Sequence, residues 1–546
     1  MDRGSGAGLG PGPSHGIVPT MDAARRPSPG PAPAAGTPRG SGAGPVVGGG
    51  ACSGAAGGRG RGGGAGVSRT TVLVLGGLVA LVVAGVLVLD ATHLVAAERT
   101  LPALALVVVV GLVVVLRGVG DLGVALLAGA VGTATWNGIS LGLPLGHLFL
   151  ASALVALALP VVGQGRRLAV PAWVWPLPTA LLLVVACSVL FPIDRGYLSA
   201  RFGVPIDAAT AAAIPSPGIA NLLNGVRWIV PALALPLAVC LAVAGRDADR
   251  RGRLLRGLTA AWVLGAAVNA AVALADETGL TSISAMFIAV DVGGRQAGLT
   301  AQPNHLALSV GLAAPVAVWF LLSTHGRERL LWAGAVAVMG GGLFVSGSRG
   351  GLVVALGAVL VALVVERTGR RVLLPAAGVA LGAGTLLLAF FPTMLDRLGR
   401  ELRLTGAESA AESDAIRARI HAQALSDIEH SPLRGIGLHV MAEGHSIYLQ
   451  LAASGGALLF VAFLATVVGA LADGTAIARS GVAAAGLARA LVVAFGAWLV
   501  VGVVENQIAD LYLYVPLALL AGLAVVRRTS SSPLTLLRSG APGEPS

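Results

Sequence analysis

Lysine is absent from this 546-residue chain, so all 37 basic residues are arginine. Charge of either sign is scarce: only 12% of residues are charged, where a soluble domain carries about 25%. With 55% hydrophobic residues and a mean hydropathy of +0.84, a chain this poor in charge needs lipid as its solvent. Aromatics are also few, at 4%. The three cysteines, Cys52, Cys187 and Cys240, match neither a disulfide framework nor a metal-ligand spacing. Cys187 and Cys240 lie inside apolar runs and read as packing residues. No P-loop or Gly-rich dinucleotide fingerprint is present, which disfavours nucleotide-driven transport and leaves no nucleotide partner. The net charge of +11 comes from arginines scattered between apolar runs, so nucleic acid is not an expected partner either.

What the chain has in abundance is long apolar runs. Fourteen reach the length needed to cross hydrocarbon, at about 71–89, 101–116, 118–135, 145–163, 171–192, 228–245, 257–275, 304–322, 330–346, 351–366, 372–391, 447–471, 485–504 and 511–526. Each is long enough for a core about 30 Å thick. The expected fold is all-α: a polytopic transmembrane bundle of about 12–14 helices over residues 70–527. Residues 1–69 are mostly Gly, Pro, Ala, Ser and Arg, and 528–546 are rich in Ser and Pro. Both read as disordered tails, since neither buries enough apolar surface to offset ordering entropy.

The arginines orient the bundle. With both tails in the cytoplasm, the cytoplasmic connections carry Arg117, Arg166, Arg167, Arg246, Arg250, Arg251, Arg253, Arg256, Arg327, Arg329, Arg367, Arg370, Arg371, Arg479, Arg527 and Arg528. Acids such as Asp194, Asp276, Glu277, Glu412, Asp414, Glu505 and Asp510 fall on the other side. This is the positive-inside pattern. It predicts a multi-pass membrane protein with both termini cytoplasmic, and the arginine and alanine bias points to a bacterial cytoplasmic membrane. Three outer connections are long, at about 193–227, 276–303 and 392–446, and loops of that length usually serve a function.

Outer-face arginines break the bias, so each needs a reason. Arg295 precedes a helix that starts near Pro303-Asn304, Arg349 sits in Gly347-Ser348-Arg349-Gly350-Gly351, and Arg417 lies in the last long loop. A charge at the membrane boundary is costly and usually faces a polar cavity. The alternative for Arg349 is snorkelling to headgroups, or pairing with an acid such as Glu505.

The loop at 392–446 reads as partly helical. Ser409 and Glu412 fit a capping box. Ile416, Ile420, Ala424 and Ile428 form a stripe at helical spacing, and Pro432 ends the helix near His430. Arg417 and His421 share a face, and Arg419 points elsewhere. Past the turn Pro432-Leu433-Arg434-Gly435-Ile436-Gly437 comes His445-Ser446-Ile447-Tyr448-Leu449-Gln450. His445 would stand at the mouth of the next span, as a general base or as a merely solvated histidine. His421, His430, His439 and His445 are spaced nine, nine and six apart, which fits no metal-ligand pattern, so no metal is expected. Guanidinium forks bind phosphate oxygens bidentately. The residues by themselves therefore describe an outer-face anion site with a possible base beside it.

In these same segments the chain resembles the O-antigen ligase and polymerase superfamily of membrane glycosyltransferases. Arg295-x-x-Gly298 with Pro303-Asn304-x-x-Ala307, Ser348-Arg349-Gly350, and Arg417 through Pro432-Leu433-x-Gly435-x-Gly437 to His445-x-x-Tyr448-Leu449-Gln450 carry the likeness over about 280–470. His421 stands in place of the family's usual tryptophan, Ser431 in place of a histidine, and Ser446 in place of an asparagine. Fourteen runs also exceed the family's usual dozen or so.

The resemblance implies a GT-C-like fold and a metal-independent, inverting enzyme without a cofactor. It would transfer a polyprenyl-diphosphate-linked glycan to an acceptor hydroxyl on a glycan, lipid or wall polymer at the outer leaflet, among membrane lipids. By resemblance, His445 is catalytic and Arg295, Arg349 and Arg417 hold the diphosphate. Asn304, Tyr448, Gln450 and Arg419 are further candidates. A ligase and a polymerase remain equally open. A non-enzymatic transporter or flippase of lipid-linked glycans is the alternative of another class; it would place arginines along a central path, with helices broken near mid-membrane. A structural membrane protein whose arginines only bind headgroups is the third reading.

Overall fold

A computed structural model describes residues 119–139, 144–163, 168–193, 197, 217–286, 295–366, 368–373, 375, 378, 382, 408–438, 445–480, 484–505 and 507–530. Among them no β-strand forms. The helices, in order, are α1 (Val119–Gly132), α2 (Leu145–Gly163), α3 (Pro176–Leu190), α4 (Pro217–Ile229), α5 (Leu235–Ala244), α6 (Ala248–Glu277) and α7 (Pro303–Ser323). There follow α8 (Gly326–Val345), α9 (Arg349–Val365), α10 (Glu408–His430), α11 (Ile447–Arg479), α12 (Ala485–Val501) and α13 (Leu511–Ser530).

Seven helical stretches are long and apolar enough to cross a membrane, and four shorter apolar helices accompany them. The protein is an integral membrane protein with a polytopic helical bundle. Eleven of the fourteen apolar runs fall on these helices. The runs at 71–89 and 101–116, nearly all of 372–391, and both tails except for residues 528–530 lie outside the described residues.

Helix is the only option for these runs, because hydrocarbon offers no partner to backbone N–H and C=O groups. Proline punctuates them in tolerated places. Pro176, Pro217 and Pro303 open α3, α4 and α7, where the missing N–H would be unpaired in any case. Between α4 and α5 a π-helical turn, Val230–Ala234, keeps the chain helical past Pro231 and Pro236, whose missing donors break the regular ladder. α7 and α13 are buried over most of their length and form the centre, while α8 is largely exposed to its surroundings.

The bundle has two chemically distinct ends. α6, α8 and α12 finish where α7, α9, α11 and α13 begin: Gln296 N donates to Val345 O at 3.1 Å and Ile447 N to Gly502 O at 2.7 Å. The opposite end holds ion pairs between Arg246 and Asp121 (2.6 Å), Arg256 and Glu328 (3.0 Å), Arg489 and Glu366 (2.8 Å), and Arg527 and Asp473 (2.9 Å).

Three boundaries differ from the sequence reading. α10 starts at Glu408, so Ser409 lies inside the helix and is not its N-cap. α4 starts at Pro217, which shortens the expected 193–227 connection because proline pre-sets the first helical φ. The run that begins at Ile447 continues to Arg479.

α11 is also broken. Gly456 has φ 61° and ψ −159°, a conformation that a side chain would strain. The turn after α10 fills the break. Ile436 N donates to Ala453 O (2.9 Å), Gly437 N to Ser454 O (3.0 Å) and Ala457 N to Pro432 O (2.8 Å). Gly435, with φ 68°, lies so close that a Cβ would run into the Ser454 carbonyl. Gly435→Ala should therefore cost about 2 kcal/mol or more and lower the unfolding midpoint of the detergent-purified protein by several degrees. Gly334→Ala, where a Cβ meets nothing within 4 Å, should leave it unchanged; equal midpoints for the two variants would contradict this seating of the turn.

Candidate functional site

Four segments meet at the end of the bundle where α7, α9, α11 and α13 begin. Arg295 lies across the α8–α9 turn. Its Nε donates to Ser346 O at 2.8 Å and its Nη2 to Asn304 Oδ1 at 2.7 Å. Gly347, at φ 57°, leaves room for it: a Cβ there would stand 3.2 Å from Arg295 Cγ. Asn304, second residue of α7, thus orients a guanidinium, which explains a polar residue at the head of an apolar helix.

Arg349 is the first residue of α9 and is exposed. Ser348 caps that helix, its Oγ accepting from Gly351 N at 3.3 Å. A cation at a helix N-terminus opposes the helix dipole, so helix stability does not account for Arg349. The positive end of that helix and the arginine together favour an anion.

Arg417 comes from α10 and is half-buried, with a buried Nε; Arg419 is exposed. His421 Nε2 is buried with no hydrogen-bond partner among the described residues. α10 is anchored to the bundle by its apolar stripe, in which Ala424 and Ile428 pack with Ile436 and Ala453. Its buried Asp427 accepts from Tyr197 Oη and from Gln423 Nε2, both at 2.9 Å. Tyr197 also stacks on His430 at 3.7 Å.

His445 is half-buried and takes φ 44°, the only non-glycine residue with positive φ among the described residues. Histidine tolerates this region better than most side chains. It lies just before Ile447, whose N–H is shared between Gly502 O at 2.7 Å and Glu505 O at 3.0 Å. Tyr448 Oη donates to Leu499 O at 2.6 Å, and Gln450 is buried.

Glu505 ties these pieces together. Burial pushes its carboxyl up to about 6, while the Arg417 and Arg295 guanidinia and the Gln507 amide pull it down. The charges that act on Glu505 are those of Arg417 and Arg295. Gln507 donates to Glu505 Oε2 at 3.3 Å and accepts from Tyr512 Oη. The cluster Glu505-x-Gln507-x-x-Asp510, polar between two apolar runs, was the available signal for it.

A second polar knot lies alongside. Asn137 Nδ2 donates to Asp510 Oδ2 at 3.0 Å and to His305 Nδ1 at 2.9 Å, and Asn137 Oδ1 accepts from Ala301 N at 3.1 Å. Among the described residues no three His, Cys, Asp or Glu side chains gather as a metal site.

Residues 333–464 match the family model described as O-antigen ligase. Over those residues the chain is similar to that family. Its family implies a ligase- or polymerase-type action on glycans. The O-antigen ligase segment contains Arg349, Arg417 and His445 and the turn seated in α11, and it excludes Arg295, Asn304 and Glu505. No curated protein matches the chain.

The arrangement predicts that a carboxylic-acid infrared band disappears as pH rises through about 6 and is missing in Glu505→Gln. Arg417→Met should move that transition to higher pH, since the guanidinium holds the carboxyl down. An unmoved transition would separate Arg417 from the site.

Proposed function

We propose that the protein is a membrane glycosyltransferase that moves a glycan from a polyprenyl diphosphate to an acceptor hydroxyl, at the face of the membrane away from cytoplasmic termini. The observation that carries this reading is the convergence of Arg295 and Arg417 on Glu505, beside the start of α11 where His445 stands.

In the proposed reaction the acceptor oxygen attacks the anomeric carbon from the side opposite the diphosphate. The bond from that carbon to the phosphate oxygen breaks, a glycosidic bond forms with inversion, and the acceptor's proton passes to His445. The diphosphate departs with an added negative charge, stabilised by Arg295, Arg349 and Arg417. Guanidinia then supply the positive charge that a divalent cation supplies elsewhere, so the reaction proceeds without metal or nucleotide.

A place for the prenyl chain supports the reading. An apolar groove of about 820 Å³ runs between α9, α11 and α12. It starts at Val353, one turn into α9 from Arg349, and continues to Val365. A lipid held there would have its diphosphate at the arginines and its chain in the membrane.

The broken α11 is the feature that a transporter reading would claim. Its exposed backbone groups are engaged by the 432–437 turn, so the break offers few carbonyls to a coupling ion. Ligase and polymerase share one chemistry in this site and differ in the acceptor.

Purified protein in liposomes, given polyprenyl-diphosphate glycan and acceptor without nucleotide and with EDTA, should form the glycosidic product. His445→Ala should lower the rate about 100-fold or more, and Arg349→Ala by a similar factor. Full transfer by both variants would remove the assigned roles; dependence on ATP or an ion gradient would replace the enzyme with a transporter.

A further inference from the structure

Glu505 is out of place in a diphosphate site. A binding site for a polyanion gains nothing from a half-buried carboxylate beside two of its arginines, since like charges repel. Yet its backbone carbonyl fixes the start of α11 at 3.0 Å from Ile447 N, and its side chain is held by Gln507. The charges of Arg417 from α10 and Arg295 from the segment before α7 act on it, and Tyr512 at the head of α13 feels both Glu505 and Asp510. His445 stands two residues before the Ile447 contact.

We propose that Glu505 is the exchangeable counter-charge of the donor site: it balances Arg295 and Arg417 while the site is empty, and takes up one proton from solvent when a diphosphate diester binds. This rests on the reading of the arginine cluster as the diphosphate site. The balance is simple. The ligand arrives with two full negative charges and no proton to lose near neutral pH. Glu505 gains one proton from water, and no other bond changes. The acceptor's proton is separate and goes to His445.

The physical order of events follows from the charges. Burial already holds Glu505 near the top of the carboxylate range, with a midpoint of about 6. Two further negative charges within the same guanidinium cluster raise it again and carry it past neutrality. The arginines, relieved of the carboxylate, are left with the ligand. A ligand with one diffuse charge, such as a carboxylate, would not shift Glu505 as far and would meet a site already balanced. Glu505 thus selects for a fully ionised diphosphate, and binding should tighten as pH falls toward 6.

The test uses full-length protein in nanodiscs and a sugar-free probe, P1-farnesyl-P2-methyl diphosphate, whose two phosphates stay ionised throughout. Titration calorimetry at pH 7.5 in two buffers of different ionisation enthalpy gives the protons taken up per ligand. The wild type should take up between half and one proton, and its affinity should rise about tenfold per pH unit toward the carboxyl's own midpoint. Glu505→Gln should take up none, lose the pH slope, and bind about tenfold tighter at pH 7.5. Glu505→Asp should restore uptake, and His445→Gln should keep it, since histidine titrates in the same range. Wild-type binding without proton uptake overturns the proposal on its own, even if the glutamine variant does not fold. So does uptake that persists in Glu505→Gln, or weaker binding by that variant. Absence of binding by the wild type at every pH sinks the diphosphate reading itself, and the role of Glu505 with it.

Discussion

The hydrogen bonds across the broken α11 hold the site in shape. A helix interrupted inside a membrane exposes backbone groups that lipid cannot satisfy, at several kcal/mol each. Here the turn at 432–437 supplies the partners, and Gly435 and Gly456 make the approach close enough. The turn is the immediate continuation of α10, so seating it also docks the helix that carries Arg417. The short first part of α11 is then fixed by Ile447 against Gly502 and Glu505. One backbone requirement thus sets the position of an arginine on one side and a histidine on the other.

Charge is distributed accordingly. At the opposite end of the bundle arginines meet acids in ion pairs that are at least partly exposed, each of small energetic weight, and Arg527 and Arg528 share Asp473. At the site end, Arg295 is oriented by a carbonyl and an amide oxygen. Neutral acceptors orient a guanidinium without cancelling its charge. That leaves the field of the arginines available to whatever anion occupies the site, with Glu505 as the nearby opposing charge.

Much of this was legible in the sequence because the membrane enforces it. Hydrocarbon thickness sets the length of each run, so helices such as α7 and α12 stand out from composition alone. Ser348 was picked out only through the family likeness, while its role as a cap, a hydroxyl satisfying an otherwise orphaned N–H, came from the structure. The break at Gly456 left no trace, since a glycine inside an apolar run is ordinary in membrane helices. The arginines that act on Glu505 were not legible for a related reason. Sequence distance ranks Arg349 and Arg417 only by chain order, whereas docking of α10 through Ala424 and Ile428 decides which guanidinium reaches the carboxyl. Ser409 was placed one residue outside a helix that already includes Glu408, a shift that pattern cannot resolve.

Asn137 gives the first half of the chain a part in all this. A single amide bridges α1's trailing turn, the loop before α7, the head of α7 and the head of α13. The stretch that resembles known ligases supplies none of those four anchor points. An excised ligase segment would therefore be a set of functional groups without a frame, and the smallest piece able to assemble the pocket reaches at least from Asn137 to Asp510. Sequence divergence outside the recognisable stretch is then expected to be limited by geometry at a few polar contacts, while the lipid-facing residues between them drift freely.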